Sequence, residues 1–431
     1  MQTFVPPKGT RDCYPDDMII RDYIFNSWEK TCKRYGFEKY DAPIFEYMQL
    51  YTHKSGEEIE KQLYTLVDKS GRQLALRPEM TPSIARMIAT KGPSLKLPVR
   101  WYSIPRLFRY EKMQRGRTRE FFQLNMDILG ISQPTADAEL MALSIDTMRD
   151  LGLTSQDFSI HISSRTLLEE LFLFSGVKTE KLPMLYSLLD KQHKMPESDF
   201  NTILSEYIPE KDIQNTIKKI LGITSIDEIR SINSSLKALA DLDTVFSLLE
   251  NYGLSDFAEF DIGIVRGLAY YTGIVWELID KNRSLRSIAG GGRYNQLVKL
   301  YGGMDTPAVG LAIGDVVLTE LLTEKGLLPK MTPRSDVFVI TFDKKSHDHT
   351  VKIAQKLRNS GINCEFALKP MGIGKQMKQA DAARAGIVLF IGGEEEQEGK
   401  FKIRNMKTGE EKILEKKDVT TVLKNLIPPL S

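Results

Sequence analysis

From Phe121 the chain alternates strictly, so a β-strand would place Phe121, Gln123, Asn125 and Asp127 on one face and Phe122, Leu124, Met126 and Ile128 on the other. One face packs and the other carries hydrogen-bonding groups. Upstream, Val99 to Glu111 is rich in aromatic and branched residues and reads as a partner strand that puts Leu107, Arg109 and Glu111 on a shared face. Together they predict a long antiparallel hairpin. Arg109, Lys112, Arg115, Arg117 and Arg119 cluster at and around its loop. Strand positions offering arginine, glutamine and aspartate beside a phenylalanine suit a zwitterion held next to a nucleotide.

The pattern elsewhere divides the chain. Met18 to Tyr35 has helical spacing, and a strand-like stretch follows from Phe37 to Tyr51. A short strand then turns at Arg77-Pro78 into a helix, with Thr81 as the capping residue and Pro82 at the first helical position. Residues 165–250 change to helical spacing of Leu, Ile and Phe with few glycines, and read as a helical insertion that acts as a spacer. Beyond it, strands are predicted around Arg266-Gly267. Ala289 to Gly292 is a glycine-rich lead into a helix, and a strand ending at Gly310 to Gly314 precedes an apolar helix. Prolines among polar residues at GLLPKMTPRSD place a boundary between units 1–328 and 334–431. The second unit alternates β-α-β-α-β, which predicts a small parallel or mixed α/β domain.

Composition narrows the class. With 431 residues, 42% hydrophobic and 27% charged, the chain has the make-up of a soluble protein of two or three domains. Its net charge of +2 excludes a basic nucleic-acid coat over the whole surface. Residues 334–431 hold 18 Lys and Arg against 13 Asp and Glu, a balance of +5, which leaves −3 for the rest. The basic excess belongs to the second unit. Cys13, Cys32 and Cys364 are scattered without metal-ligand spacing, which points away from a disulfide framework or zinc site and toward a reducing cytoplasm. No apolar run reaches membrane-spanning length. His347 and His349, a candidate metal pair, sit among polar residues that predict a loop, and none of the five histidines looks catalytic.

These residues also resemble a known family. FRYEKMQRGRTREFFQLNMD is similar to motif 2 of class II aminoacyl-tRNA synthetases, and YGFEKYDAPIFEYMQLY, with Pro43, to motif 1. VRGLAYYTG and AGGGRYNQL resemble the two motifs of the histidyl-tRNA synthetase family, while PKGTRD and GKQMKQAD extend the likeness to both ends. The resemblance implies an α+β catalytic domain with a mostly antiparallel sheet flanked by helices, a C-terminal α/β anticodon-binding domain and a homodimer. It implies ATP-dependent activation of L-histidine to histidyl-adenylate, with Mg2+, and transfer of histidine to the 3′ end of tRNA(His). Arg109 and Arg266 would be the catalytic arginines at the α-phosphate, Phe121 would stack on adenine, and Arg117 would reach the γ-phosphate. Arg115 and Arg119 would be general polyphosphate or tRNA contacts. Glu79, Thr81 and Gln123 would meet the ammonium of histidine, Asp127 and Tyr271 its ring nitrogens, and Tyr270 and Tyr294 would line the pocket. As neighbours on a strand, Tyr270 and Tyr271 would point opposite ways, so only one would meet the ring.

Three positions depart from the pattern. Asp127 stands where some members have glutamate, and Ala269 replaces an acidic residue. Val317 occupies the place of the motif 3 arginine that holds the γ-phosphate, which shifts that load onto Arg117. The loss keeps open a second reading, a histidine-sensing relative that regulates histidine biosynthesis.

Overall fold

The computed structural model describes residues 4–52, 57–190, 192, 195–266, 270–329, 334–342 and 347–427. Two compact units divide the chain, Met1–Pro329 and Lys330–Ser431.

The first unit is built on one sheet. Its strands lie in the spatial order Glu38–Lys39, Val99–Ser103, Glu120–Leu129, Ala308–Gly314, Ala289–Arg293, Ile274–Asp280, Phe158–Ser164 and Ala258–Phe260. The outermost pairs are parallel and every pair between them is antiparallel. Proline breaks the predicted partner strand: after Val99–Ser103 it resumes as Arg106–Phe108, across the step at Pro105. The long strand Glu120–Leu129 has the predicted two-faced character. Leu124, Met126 and Ile128 enter the main hydrophobic core, while Gln123 and Asp127 lie opposite Gly314 and Gly310 of the next strand.

The glycine triplet is sheet rather than a lead into a helix. Gly290, Gly291 and Gly292 sit in the strand Ala289–Arg293, and only a turn-length helix, Leu297–Leu300, follows. Bare backbone is required there because large side chains cross it. A Cβ on Gly290 would run into the Arg266 guanidinium, one on Gly291 into the Trp276 indole, and one on Gly292 would lie 2.8 Å from the Tyr271 ring. The helix after Arg77-Pro78 spans Thr81–Lys91 with Met80 as its cap, one residue earlier than the sequence indicates, and Thr81 makes no capping bond.

Helices fill residues 165–250, from Arg165–Phe174 to Lys237–Asn251. Their buried face is continuous with the sheet: Leu167, Leu171, Leu204 and Leu242 share one core with Met126 and Ile162. Shared burial makes this segment part of the first unit's packing. It is more than a spacer.

The second unit is a mixed sheet in the order Cys364–Phe366, Val337–Thr341, Ile387–Ile391, Lys400–Asn405 and Glu411–Glu415. The first three strands are parallel and the last two form an antiparallel hairpin. It has hydrophobic clusters of its own, around Val339 and Leu389 on one side and Ile340 and Phe390 on the other. His347 and His349 belong to the first turn of the helix His347–Asn359 and not to a loop, because the buried positions of its inner face, Thr350, Ala354 and Leu357, recur at helical spacing and extend the periodic segment back to them. His53 and His193 lie outside the described residues.

Candidate active site

A cleft of about 1080 Å³ opens on the glycine-floored face of the sheet. Arg109, Arg117, Phe121, Gln123 and Arg266 all line it. The hairpin brings in the first four, and the segment after Phe260 brings in Arg266. The strands predicted around Arg266-Gly267 are confined to Ala258–Phe260 and Ile274–Asp280. Arg266 has φ 60°, a conformation that non-glycine residues adopt only when their surroundings enforce it. The enforcing contacts are visible. His161 Nδ1 lies 3.0 Å from Asp261, whose other oxygen accepts from the Gly263 N–H at 3.0 Å, so the segment is tied down before the arginine. The guanidinium then meets Glu277 at 2.5 Å. Glu277 escaped the sequence reading, although a carboxylate in the middle of the otherwise apolar run Ile274–Ile279 was a visible signal.

Arg109 is held by the Pro78 carbonyl, which accepts from its Nε at 2.9 Å, and its guanidinium sits 5.3 Å from the Phe121 ring centre. Arg117 pairs with Glu111 at 2.6 Å. Arg115 and Arg119 are occupied elsewhere. Arg115 pairs with Glu320 and Glu324, and Arg119 covers the Tyr110 ring at 4.2 Å and donates to the Glu111 carbonyl. The PKGTRD segment braces the hairpin: Gly9 accepts from the Arg119 N–H at 2.9 Å, and Arg11 meets Asp315 at 2.8 Å.

Glu79, Asp127, Tyr270 and Tyr294 are buried beside this cleft, with the partly buried Thr81 and Tyr271 among them. The Tyr270 hydroxyl donates to Glu79 at 2.8 Å and has Thr81 next to it, and the Tyr294 hydroxyl donates to Asp127 at 2.5 Å. Tyr270 and Tyr271 are not strand neighbours pointing apart. They lie in a turn with ring centres 5.0 Å from each other, because the strand begins only at Ile274, so both face the same group. Tyr271 joins the two halves, its hydroxyl within reach of Arg266 and in the field of Glu79 and Asp127. Two buried atoms here, Glu79 Oε1 and Arg266 Nε, have no hydrogen-bond partner among the described residues. Such atoms are rare in folded proteins and cluster where a ligand completes them. Ala269 falls outside the described residues.

Burial raises the Glu79 carboxyl, against the nearby Arg109, and pushes Asp127 up to about 7. An unfolded aspartate titrates near 3.9, so above pH 7 the folded chain bears the full cost of ionising Asp127, and that cost vanishes as pH falls toward 4. Asp127→Asn should therefore raise unfolding stability at pH 8 by up to about 4 kcal/mol and change little at pH 4. Chemical denaturation at the two pH values checks this. Equal stabilisation at both would mean that Asp127 is ordinary.

Comparison with known proteins places this arrangement. The family model "Histidyl-tRNA synthetase" matches residues 9–315, and "Anticodon binding domain" matches residues 336–426. The chain is 38% identical over 435 residues to the histidine--tRNA ligase of Opitutus terrae, covering 99% of each chain. It is 39% identical to the chloroplastic/mitochondrial histidine--tRNA ligase of Arabidopsis thaliana, covering 94% of this chain and 84% of the relative. Among solved structures, histidyl-tRNA synthetase from Nostoc sp. PCC 7120 superimposes with a TM-score of 0.83 at 24% identity, over 99% of this chain and 100% of that one. The fold is that of a class II aminoacyl-tRNA synthetase. Within that class, the chain belongs to the histidyl-tRNA synthetase family.

Proposed function

We propose that the cleft activates L-histidine with ATP and passes it to tRNA(His), and that the residues brought together there divide the work. The observation that carries this reading is that Arg109 and Arg266 line one cleft, with a buried carboxylate and tyrosine group alongside.

In the first step an oxygen of the histidine carboxylate bonds to the α-phosphorus, and the bond to the pyrophosphate oxygen breaks. Charge accumulates on the phosphoryl oxygens. Arg109 and Arg266 offer planar, paired N–H donors that match it, and their positions are fixed before reaction by Pro78 and Glu277. Phe121 provides an aromatic face for adenine, and Arg117 meets the outer phosphates. Glu79, Thr81 and Gln123 receive the ammonium group. Asp127 and Tyr271 take the ring nitrogens, with Tyr270 and Tyr294 closing the walls. A pocket of buried polar partners rejects analogues that leave them unmatched, by about 10⁴ to 10⁵. In the second step a hydroxyl of the terminal ribose attacks the histidyl carbonyl and AMP leaves.

The Mg2+ of the proposed reaction is an ion usually held by one or two carboxylates and substrate phosphates. Glu111, Asp190, Glu277 and Asp315 line the cleft, and one or two of these carboxylates would hold it. When bound, it would neutralise phosphate charge.

The first unit then acts as the catalytic domain and the second as the anticodon-binding domain. The histidine-sensing alternative is not favoured, since the full-length relatives are histidine--tRNA ligases and an anticodon-binding domain is matched. We place the enzyme in the cytoplasm, where its free cysteines stay reduced; no described helix is long and apolar enough to cross a membrane. Histidine-dependent exchange of pyrophosphate into ATP tests the whole reading, and its absence from the purified chain would end it.

A homodimer is supported by the small sheet of Phe45–Tyr47, Thr65–Val67 and Gln73–Leu76, which leaves Phe45, Tyr47 and Val67 more than half exposed. Adjacent exposed apolar side chains of this size mark an interface. The double variant Phe45→Glu, Tyr47→Glu should run with the mass of one chain by light scattering while the parent runs as two. A variant that stays dimeric would move the interface elsewhere.

A further inference from the structure

Val317 leaves the terminal phosphate short of a cation, and the structure supplies one from an unrelated segment. A Cβ built on Gly116, in the basic hairpin, would lie 3.1 Å from Val317 Cγ2 and 3.7 Å from Arg286 Cδ. The aliphatic side chain at 317 and the stem of Arg286 thus flank one point of the cleft wall. Both residues line the cleft, together with Arg117.

We infer that Arg286 binds the outermost phosphate of ATP, in place of the arginine that motif 3 lacks at position 317. This rests on the adenylate-forming reading above. Charge is the first ground. Arg115, Arg117 and Arg266 are each paired with a carboxylate, whereas the contact found for Arg286 is to the neutral amide oxygen of Gln114, 3.3 Å from its Nη1. A guanidinium carries five donors in a planar fork, so most of them remain for an anion.

Positioning is the second ground. Arg286 is half-buried in the connector between the strands Ile274–Asp280 and Ala289–Arg293, and that connector is locked from below. The buried Asp280 carboxylate accepts from the Ser284 N–H at 3.0 Å, from the Leu285 N–H at 3.0 Å and from the Ser284 hydroxyl at 3.1 Å. The Gly314 N–H donates to the Ile288 carbonyl at 3.3 Å and pins the far end beside the start of the helix Asp315–Glu324. An arginine that only solubilised a loop would need none of this bracing. Val317 is uncharged, so the cation at this point of the cleft wall comes from Arg286.

The test compares nucleotides. Arg286→Ala should weaken ATP binding in equilibrium dialysis by about tenfold to a hundredfold, the value of one charge-assisted hydrogen bond to phosphate, and leave AMP binding as it was. In pyrophosphate exchange, KM for ATP should rise while KM for histidine holds. Arg286→Lys should recover part of the loss, and Val317→Arg added to Arg286→Ala should recover more. Unchanged ATP affinity in Arg286→Ala, or equal weakening of ATP and AMP, would overturn the assignment. A parent chain without exchange would overturn the activity reading; the ATP-against-AMP comparison needs no turnover and still decides Arg286.

Discussion

Replacing Arg266 by glutamine should lower the rate of histidine-dependent pyrophosphate exchange by about 10² to 10³, with little change in KM for ATP. The guanidinium is held over the bare strand at Gly290, paired with Glu277 and within reach of Tyr271, so in the proposed reaction it would meet the phosphate already oriented. Most of its effect therefore falls on the charged transition state and little on binding the ground state. Glutamine keeps a donor but loses the charge and leaves Glu277 unpaired. The double variant Arg266→Gln, Glu277→Gln separates the two effects. A single variant that is slow because Glu277 is stranded would recover in the double, whereas one that lacks the catalytic charge would not. Exchange at the parent rate in Arg266→Gln would remove this residue from the chemistry.

Removing residues 331–431 should reduce kcat/KM for tRNA charging by about 10²-fold or more while exchange stays close to that of the full chain. The first unit keeps its own core, centred on Met126, Ile162, Leu171 and Leu242, and the second closes its core on Val339 and Leu389, so neither needs the other to bury its apolar surface. What is lost is a second contact surface on the tRNA, carrying the excess of 18 basic over 13 acidic residues in 334–431. Circular dichroism of the shortened chain confirms that it is folded. Equal loss of exchange and charging in a folded protein would break the division of labour between the units.

How far the sequence could be read depended on how local each signal was. Alternation from Phe121 to Ile128 fixed both faces of a strand and hence the company of Gln123 and Asp127, since side-chain direction follows from backbone period alone. Helical spacing marked residues 165–250, and the motifs named the residues around the cleft. What those stretches touch was beyond such patterns. That the helical segment shares the catalytic core, that Tyr270 and Tyr271 face one group, and that the glycine triplet is a sheet floor beneath Arg266 all depend on contacts between distant parts of the chain.

By itself the sequence carried the strand and helix pattern and the two-unit layout, because periodicity, proline and glycine act over a few residues, whereas the class of fold and the expected site residues came from the resemblance of its motifs. Only the tertiary structure decided the partners: Glu277 for Arg266, Glu320 and Glu324 for Arg115, and Arg286 beside Val317. An arginine's role is set by which carboxylate or open space its long side chain meets after folding, and no local pattern carries that information.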